Sequence, residues 1–190
     1  MNKDEEVKCS IIDAAKRVFL KWGLNKTTME DIAHEAGKGK STLYYYFRSK
    51  EEILENVIID ELDSISIKAK TAIEGIDSPK DKLKKYIAIT LAEMKKSVSL
   101  YSLIKGEIKG NKEFIDNIRK RFDNSEEMII LKILKMGLKL REFNFLKEAE
   151  LNKTANVIVG LIRGLELYLF LENEDNEKMD IAMRLLVEGL

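Results

Sequence analysis

A chain of 190 residues, 45% of them hydrophobic, can bury a real core and is no disordered tail. One proline and ten glycines against 35% charged residues weigh against a many-stranded sheet and suit long helices, so the expected class is all-α. The formal net charge of zero gives no overall support for a polyanionic partner, while a single cysteine and a single histidine exclude an intramolecular disulfide and a His/Cys zinc site. The opening MNKDEEVKCS lacks the basic start and apolar run of a signal peptide, and no apolar stretch reaches membrane length. The expected setting is a reducing cytoplasm without membrane contact.

In chain order, Val7, Ile11, Ala14, Ala15, Val18 and Trp22 form a helical stripe closed by Gly23, with Cys9 and Trp22 expected to help pack this helix. Thr27 and Glu30 have capping-box spacing for a short second helix that stops at Gly37. A third short helix fits about Lys40 to Phe47. Ser49 and Glu52 then open a long fourth helix toward Ile73, ended by Gly75, and Ser78-Pro79-Lys80-Asp81 starts a fifth. Helices five and six are expected over Pro79 to Ile108 with a break near Ser97 to Ser99. A long helix from about Lys112 is expected to end at Gly137, and two more over about Lys147–Leu171 and Asn176–Leu190.

The charge is unevenly placed. Residues 1–50 hold ten Lys/Arg against seven Asp/Glu, a net of +3. Two acid-free stretches, Lys16 to Thr28 and Gly37 to Lys50, each carry four basic residues. The second contains GKGKSTLYYYF, residues 37–47, in which lysines adjoin three consecutive tyrosines. Consecutive helical residues point in different directions, so three adjacent rings cannot all enter a core. With Leu43 and Phe47 facing inward, Thr42, Tyr44 and Tyr45 are pushed outward and Tyr46 sits at the margin. Lysines, helix-start N–H groups and hydroxyls attract phosphate, and Thr and Tyr can meet base edges and thymine methyls. Two short helices joined at Gly37, with small Ala33 at their crossing, have the size of a helix-turn-helix, and the partner this implies is duplex DNA.

The run TTMEDIAHEAGKGKSTLYYYFRSKEEIL, Thr27 to Leu54, resembles the helix-turn-helix signature of the TetR family of bacterial transcriptional regulators, combining TT-x-x-x-IA-x-x-AG, a short gap, TLYYYF and a following lysine. The resemblance implies that Lys40, Ser41, Thr42 and Tyr44 lie toward bases, while Thr27, Thr28, Tyr45, Tyr46 and Lys50 hold the DNA backbone. Lys38 joins this set as part of the basic stretch. It departs from the family's usual apolar residue, as Gly39 does from a capping serine and Tyr46 from histidine. The resemblance also implies an N-terminal three-helix DNA-binding domain, residues 1–48, followed by a larger helical domain, 49–190, that binds an effector and dimerises.

In that second region the helix over Leu151–Leu171 is apolar nearly all round, and the last helix is similar. The excess suggests a twofold homodimer through Ile158, Ile162, Leu165, Leu169, Ala182 and Leu186, the alternative being a large monomeric core. Tyr86, Met94, Tyr101, Phe114, Phe122, Met128, Met136 and Tyr168 are large residues available to line an effector cavity, or plain core. Arg163 and Glu166 interrupt the apolar helix and would meet a polar ligand group or pair at the dimer edge. There is no nucleophile–base–orienter set, metal spacing or phosphate loop, so neither an enzyme nor a cofactor is expected. The reading is a homodimeric repressor released from a palindromic operator by a small-molecule effector. The competing class is an architectural or adaptor DNA-binding protein without an inducer.

Overall fold

The computed structural model describes residues 2–97, 112–144, 146–171, 181, 184 and 185, with the side chains of 112–119, 121 and 167–171 outside that description. Every element with described bounds is helical: α1 (Lys3–Trp22), α2 (Met29–Glu35), α3 (Lys40–Tyr46), α4 (Lys50–Ala72), α5 (Pro79–Lys96), α6 (Lys112–Lys139), a 3-10 turn (Glu148–Glu150) and α7 (Leu151–Leu171). The helix expected between the Ser97 break and Ile108 lies outside the described residues, as does most of the one expected over Asn176–Leu190. Two compact units result, one of residues up to Leu62 with 112–118, the other from Asp63 to 97 and from Arg119 onward. The first unit thus takes in the beginning of α4, which the sequence reading placed wholly in the second domain.

In the first unit α1 begins before its apolar stripe, because Asn2 and Glu5 form a reciprocal capping box. Asn2 Oδ1 accepts from the Glu5 N–H at 2.8 Å and Glu5 Oε2 from the Asn2 N–H at 2.9 Å. Ile11, Ala14, Ala15, Val18 and Phe19 form its buried face, and Gly23 ends it at φ 80°. Cys9 and Trp22 do not pack as expected; both are exposed. Cys9 stands two residues from Ile11 and so falls on the opposite side of the helix, while the Trp22 ring lies beneath the Lys21 ammonium at 4.9 Å.

The cap of α2 is Thr28 with Asp31, one residue later than the expected Thr27 with Glu30. The helix ends in a Schellman motif. Gly37, at φ 62°, donates to the His34 carbonyl and Lys38 N–H to the Ala33 carbonyl at 2.9 Å. Glycine takes this left-handed conformation without the Cβ penalty, which is why the chain can turn here into α3.

In the second unit Ser78 caps α5 by accepting from the Asp81 N–H, with Pro79 as its first residue, and α5 stops at Ser97 where the break was expected. The end of α6 differs from expectation. The helix runs through Gly137 to Lys139 and closes with Arg141 at φ 59°, Glu142 N–H donating to the Gly137 carbonyl at 2.9 Å. Gly137 has another role, because a Cβ there would lie 2.0 Å from Cδ2 of the fully buried Phe143. The glycine admits the ring that joins Leu83, Ile87, Leu134, Leu151 and Ile162 in the core.

Candidate nucleic-acid interface

The geometry of α3 follows from one apolar edge. Leu43 is its buried residue and Phe47 its buried C-cap, so the remaining positions face outward. Tyr44 is 46% and Tyr45 78% exposed, large values for aromatic rings on a folded surface. Thr42 and Tyr46 are half-buried, as is Lys38, while Ser41 and Lys40 are exposed. Gly39 caps α3 without a side-chain bond, leaving the helix-start N–H groups open toward the same surface. Tyr45 and Tyr46 meet edge to face with centroids 5.0 Å apart, and Lys40 Nζ sits 5.9 Å from the Tyr44 ring centroid.

Several of the expected contacts are engaged within the protein. Lys40 pairs with Glu30 of α2, which lowers the Glu30 carboxyl pKa and raises that of the Lys40 ammonium. The Tyr46 hydroxyl donates to Asp4 Oδ1 at 2.8 Å, and this bond pushes the phenol pKa up. Thr28 hydroxyl and N–H both serve Asp31, holding its carboxyl below the usual range.

Thr27 requires a correction. It is 1% exposed and donates its hydroxyl to the Gly23 carbonyl at 2.6 Å, so its side chain belongs to the loop and is not offered to a DNA backbone. Lys50 likewise turns inward, its Nζ donating to the carbonyls of Leu24, Asn25 and Thr27. Sequence reasoning could not foresee these partners, since choosing among many exposed charges depends on how α1, α2 and α4 approach. His34 is exposed, as expected of a solvent residue.

The profile of the family described as "Bacterial regulatory proteins, tetR family" matches residues 11–57, which span α1 to the start of α4. The chain is 36% identical over 73 residues to the transcriptional repressor KstR2 of Mycolicibacterium smegmatis, covering 38% of this chain and 36% of that protein. In solved structures, a putative fatty acid metabolism regulator from Clostridium perfringens aligns at 26% identity and a TM-score of 0.66, covering 95% of this chain and 98% of that one. The chain carries an N-terminal TetR-family helix-turn-helix domain. A TetR/AcrR regulator from Thermobifida fusca shares the fold at 21% identity and a TM-score of 0.74, over 96% of this chain and 97% of that one. The chain thus spans only about a third of the length of the curated relatives it matches, 36% and 34% for the first two. Proteins of the TetR family are regulators of transcription, not enzymes.

In the second unit, Tyr86 and Met94 are fully buried and Phe122 is buried, so three expected cavity residues face inward. Met128 does not; at 62% exposure it projects into solvent, lying two residues from buried Ile130 and so on the other side of α6. Met136 is half-buried, and Phe114, Tyr101 and Tyr168 lie outside the described side chains. Arg163 Nε donates to Asp123 Oδ1 at 2.8 Å, tying α7 to α6. Sequence reasoning missed Thr90 and Glu126, both buried. The Tyr86 hydroxyl lies 3.4 Å from Glu126 Oε1, and burial, then the nearby carboxylate, push the phenol pKa far above its ordinary value. The signal existed: Glu126 interrupts the Phe122–Ile130 stripe, and buried Glu166 continues the Ile158–Ile162 stripe, at four-residue spacing in each case.

The dimer residues also need correction. Ile158 and Ile162 are buried in the core of their own unit, and Leu165 packs against it. The exposed apolar face of α7 is instead Val157, Gly160, Leu161 and Gly164, and among the described residues nothing lies within 4 Å of where a Cβ on either glycine would stand. Leu169, Ala182 and Leu186 lie outside the described side chains. Among the described residues no helix is long and apolar enough to cross a membrane, and no His/Cys/Asp/Glu group is placed to hold a metal.

Proposed function

We propose that this chain is a sequence-specific DNA-binding regulator of transcription, acting as a homodimeric repressor that a small-molecule effector releases from a palindromic operator. The observation that carries the reading is the outer face of α3, where exposed Ser41, Tyr44 and Tyr45 and half-buried Thr42 stand beside open helix-start N–H groups. Such a face offers hydroxyls and ring edges to a major groove, and the recognition helices of a dimer would enter grooves about 34–36 Å apart. Labour divides between residues 1–48 for DNA and 49–190 for effector and dimer. The Val157–Gly164 face supports pairing, because an exposed apolar strip beside two glycines that no described residue covers suits close approach of a second helix.

Fluorescence anisotropy of the protein with its own upstream promoter fragment and with a scrambled duplex tests this. A preference of about a thousandfold or more supports site-specific regulation, and Thr42→Ala or Tyr44→Ala should relax that preference. Equal binding of promoter, scrambled DNA and duplexes selected from a random pool would favour the architectural reading. An effector must lower operator affinity to count as one.

The Lys40–Glu30 pair yields a separate expectation. Glu30→Gln frees a cation at the start of α3, so affinity for random duplex should rise and the salt slope should steepen by up to about 0.9, while the promoter-to-random ratio falls. A salt series on a random duplex checks it; an unchanged slope would mean that Lys40 does not reach phosphate.

A further inference from the structure

We propose that Lys50 is a positioning residue, a latch fixing the start of α2 to the first turn of α4, and not a contact to phosphate. Its Nζ donates to the carbonyls of Leu24 at 2.7 Å, Thr27 at 3.0 Å and Asn25 at 3.3 Å. An ammonium has three N–H donors, and here each has an acceptor. The acceptors come from the loop between α1 and α2, whose own bonds run from Thr27 N–H to the Leu24 carbonyl and from the Thr27 hydroxyl to the Gly23 carbonyl.

The Thr27–Thr28 peptide group is the joint. Its carbonyl accepts from Lys50, and its N–H, belonging to the cap of α2, donates to Asp31 Oδ2 at 2.9 Å. A cation therefore holds one end of this peptide and an anion the other, and both bonds are charge-assisted. Asp31 and Thr28 fix where α2 begins, and α2 carries Ala33 and Gly37, from which α3 departs. A cation in the first turn of a helix also opposes the helix dipole. Its retention at the head of α4 is accounted for by the carbonyls across from it.

The inference rests on the DNA-binding reading only for its salt arm. Lys50→Met keeps the stem and removes the charge. With a random 30-base-pair duplex it is expected to keep the wild-type salt slope, whereas loss of a phosphate contact would lower the slope by about 0.9. In the free protein, amide hydrogen exchange at Thr28, Asp31 and Ile32 is expected to quicken by about tenfold or more, as local opening near the cap becomes easier. A slope lowered by about 0.9, or exchange at those amides unchanged from wild type, overturns the latch. Should Lys50→Met fail to fold, Lys50→Arg is measured the same way. The planar guanidinium keeps the charge but cannot direct three donors at three converging carbonyls, so faster exchange at an unaltered slope supports the latch and wild-type exchange overturns it. If the wild-type protein binds no duplex at all, the regulatory reading falls, and exchange alone decides the role of Lys50.

Discussion

Truncating Leu43 to alanine is expected to abolish DNA binding while leaving every outward residue of α3 in place. Helix α3 has seven residues, well below the roughly 12–15 that an isolated helix needs, so its existence depends on tertiary anchoring. Leu43 is fully buried and Phe47 follows one turn later, which makes this short edge the attachment of α3 to the first unit. A buried Leu→Ala change costs about 2–5 kcal/mol, a large part of a typical domain's stability. Tyr45→Ala is the control: at 78% exposure it should shift stability by no more than about 0.5 kcal/mol. Thermal unfolding by circular dichroism, read beside anisotropy on the promoter fragment, separates the two. Wild-type affinity in Leu43→Ala would mean that α3 is held by something other than this edge.

The second large effect is expected at Gly137. Alanine favours a helix interior over glycine by about 1 kcal/mol, so helix propensity alone predicts that Gly137→Ala stabilises α6. The neighbouring ring decides otherwise, because the new methyl would stand 2.0 Å from Cδ2 and 2.3 Å from Cε2 of Phe143. Phe143 is buried among Leu134, Leu146 and Leu151 and has little room to retreat. Overpacking of this kind typically costs about 1–3 kcal/mol, and a net loss near 2 kcal/mol would lower the melting temperature by about 4–8 °C. Gly160→Ala and Gly164→Ala meet nothing within 4 Å among the described residues and should raise subunit stability, each by up to about 1 kcal/mol. Gly137→Ala combined with Phe143→Leu should recover part of the loss. A Gly137→Ala protein that melts higher than wild type would show that the ring does not occupy this position.

What could be read from the sequence divides by the range of the interaction that decides it. Gly23, Gly37, Ser49 and Ser78 mark helix ends through chemistry confined to a few neighbouring residues, and the helices start or stop beside them as expected. Thr27 and Thr28 were harder, since either threonine has a carboxylate three residues on. Burial of Thr27 by the α1–α2 loop settles which one caps. Gly137 has the appearance of a helix stop until the return of Phe143, six residues later, is known. Helix α7 is apolar on so many sides that periodicity does not choose between Ile158–Ile162 and Val157–Leu161 for the core. Lys40, Tyr46 and Lys50 were legible as polar groups near the helix-turn-helix, but their acceptors on Glu30, Asp4 and the loop carbonyls come from separate elements.

Because Leu43 and Phe47 alone form the inward edge at α3, the neighbouring outward positions can change identity with little cost to folding. A library randomised at Ser41, Tyr44 and Tyr45 should therefore lose few members to misfolding. The same separation gives the lineage an easy evolutionary route: recognition can drift toward new target sequences through substitutions that stability barely registers, without first acquiring compensating changes in the core.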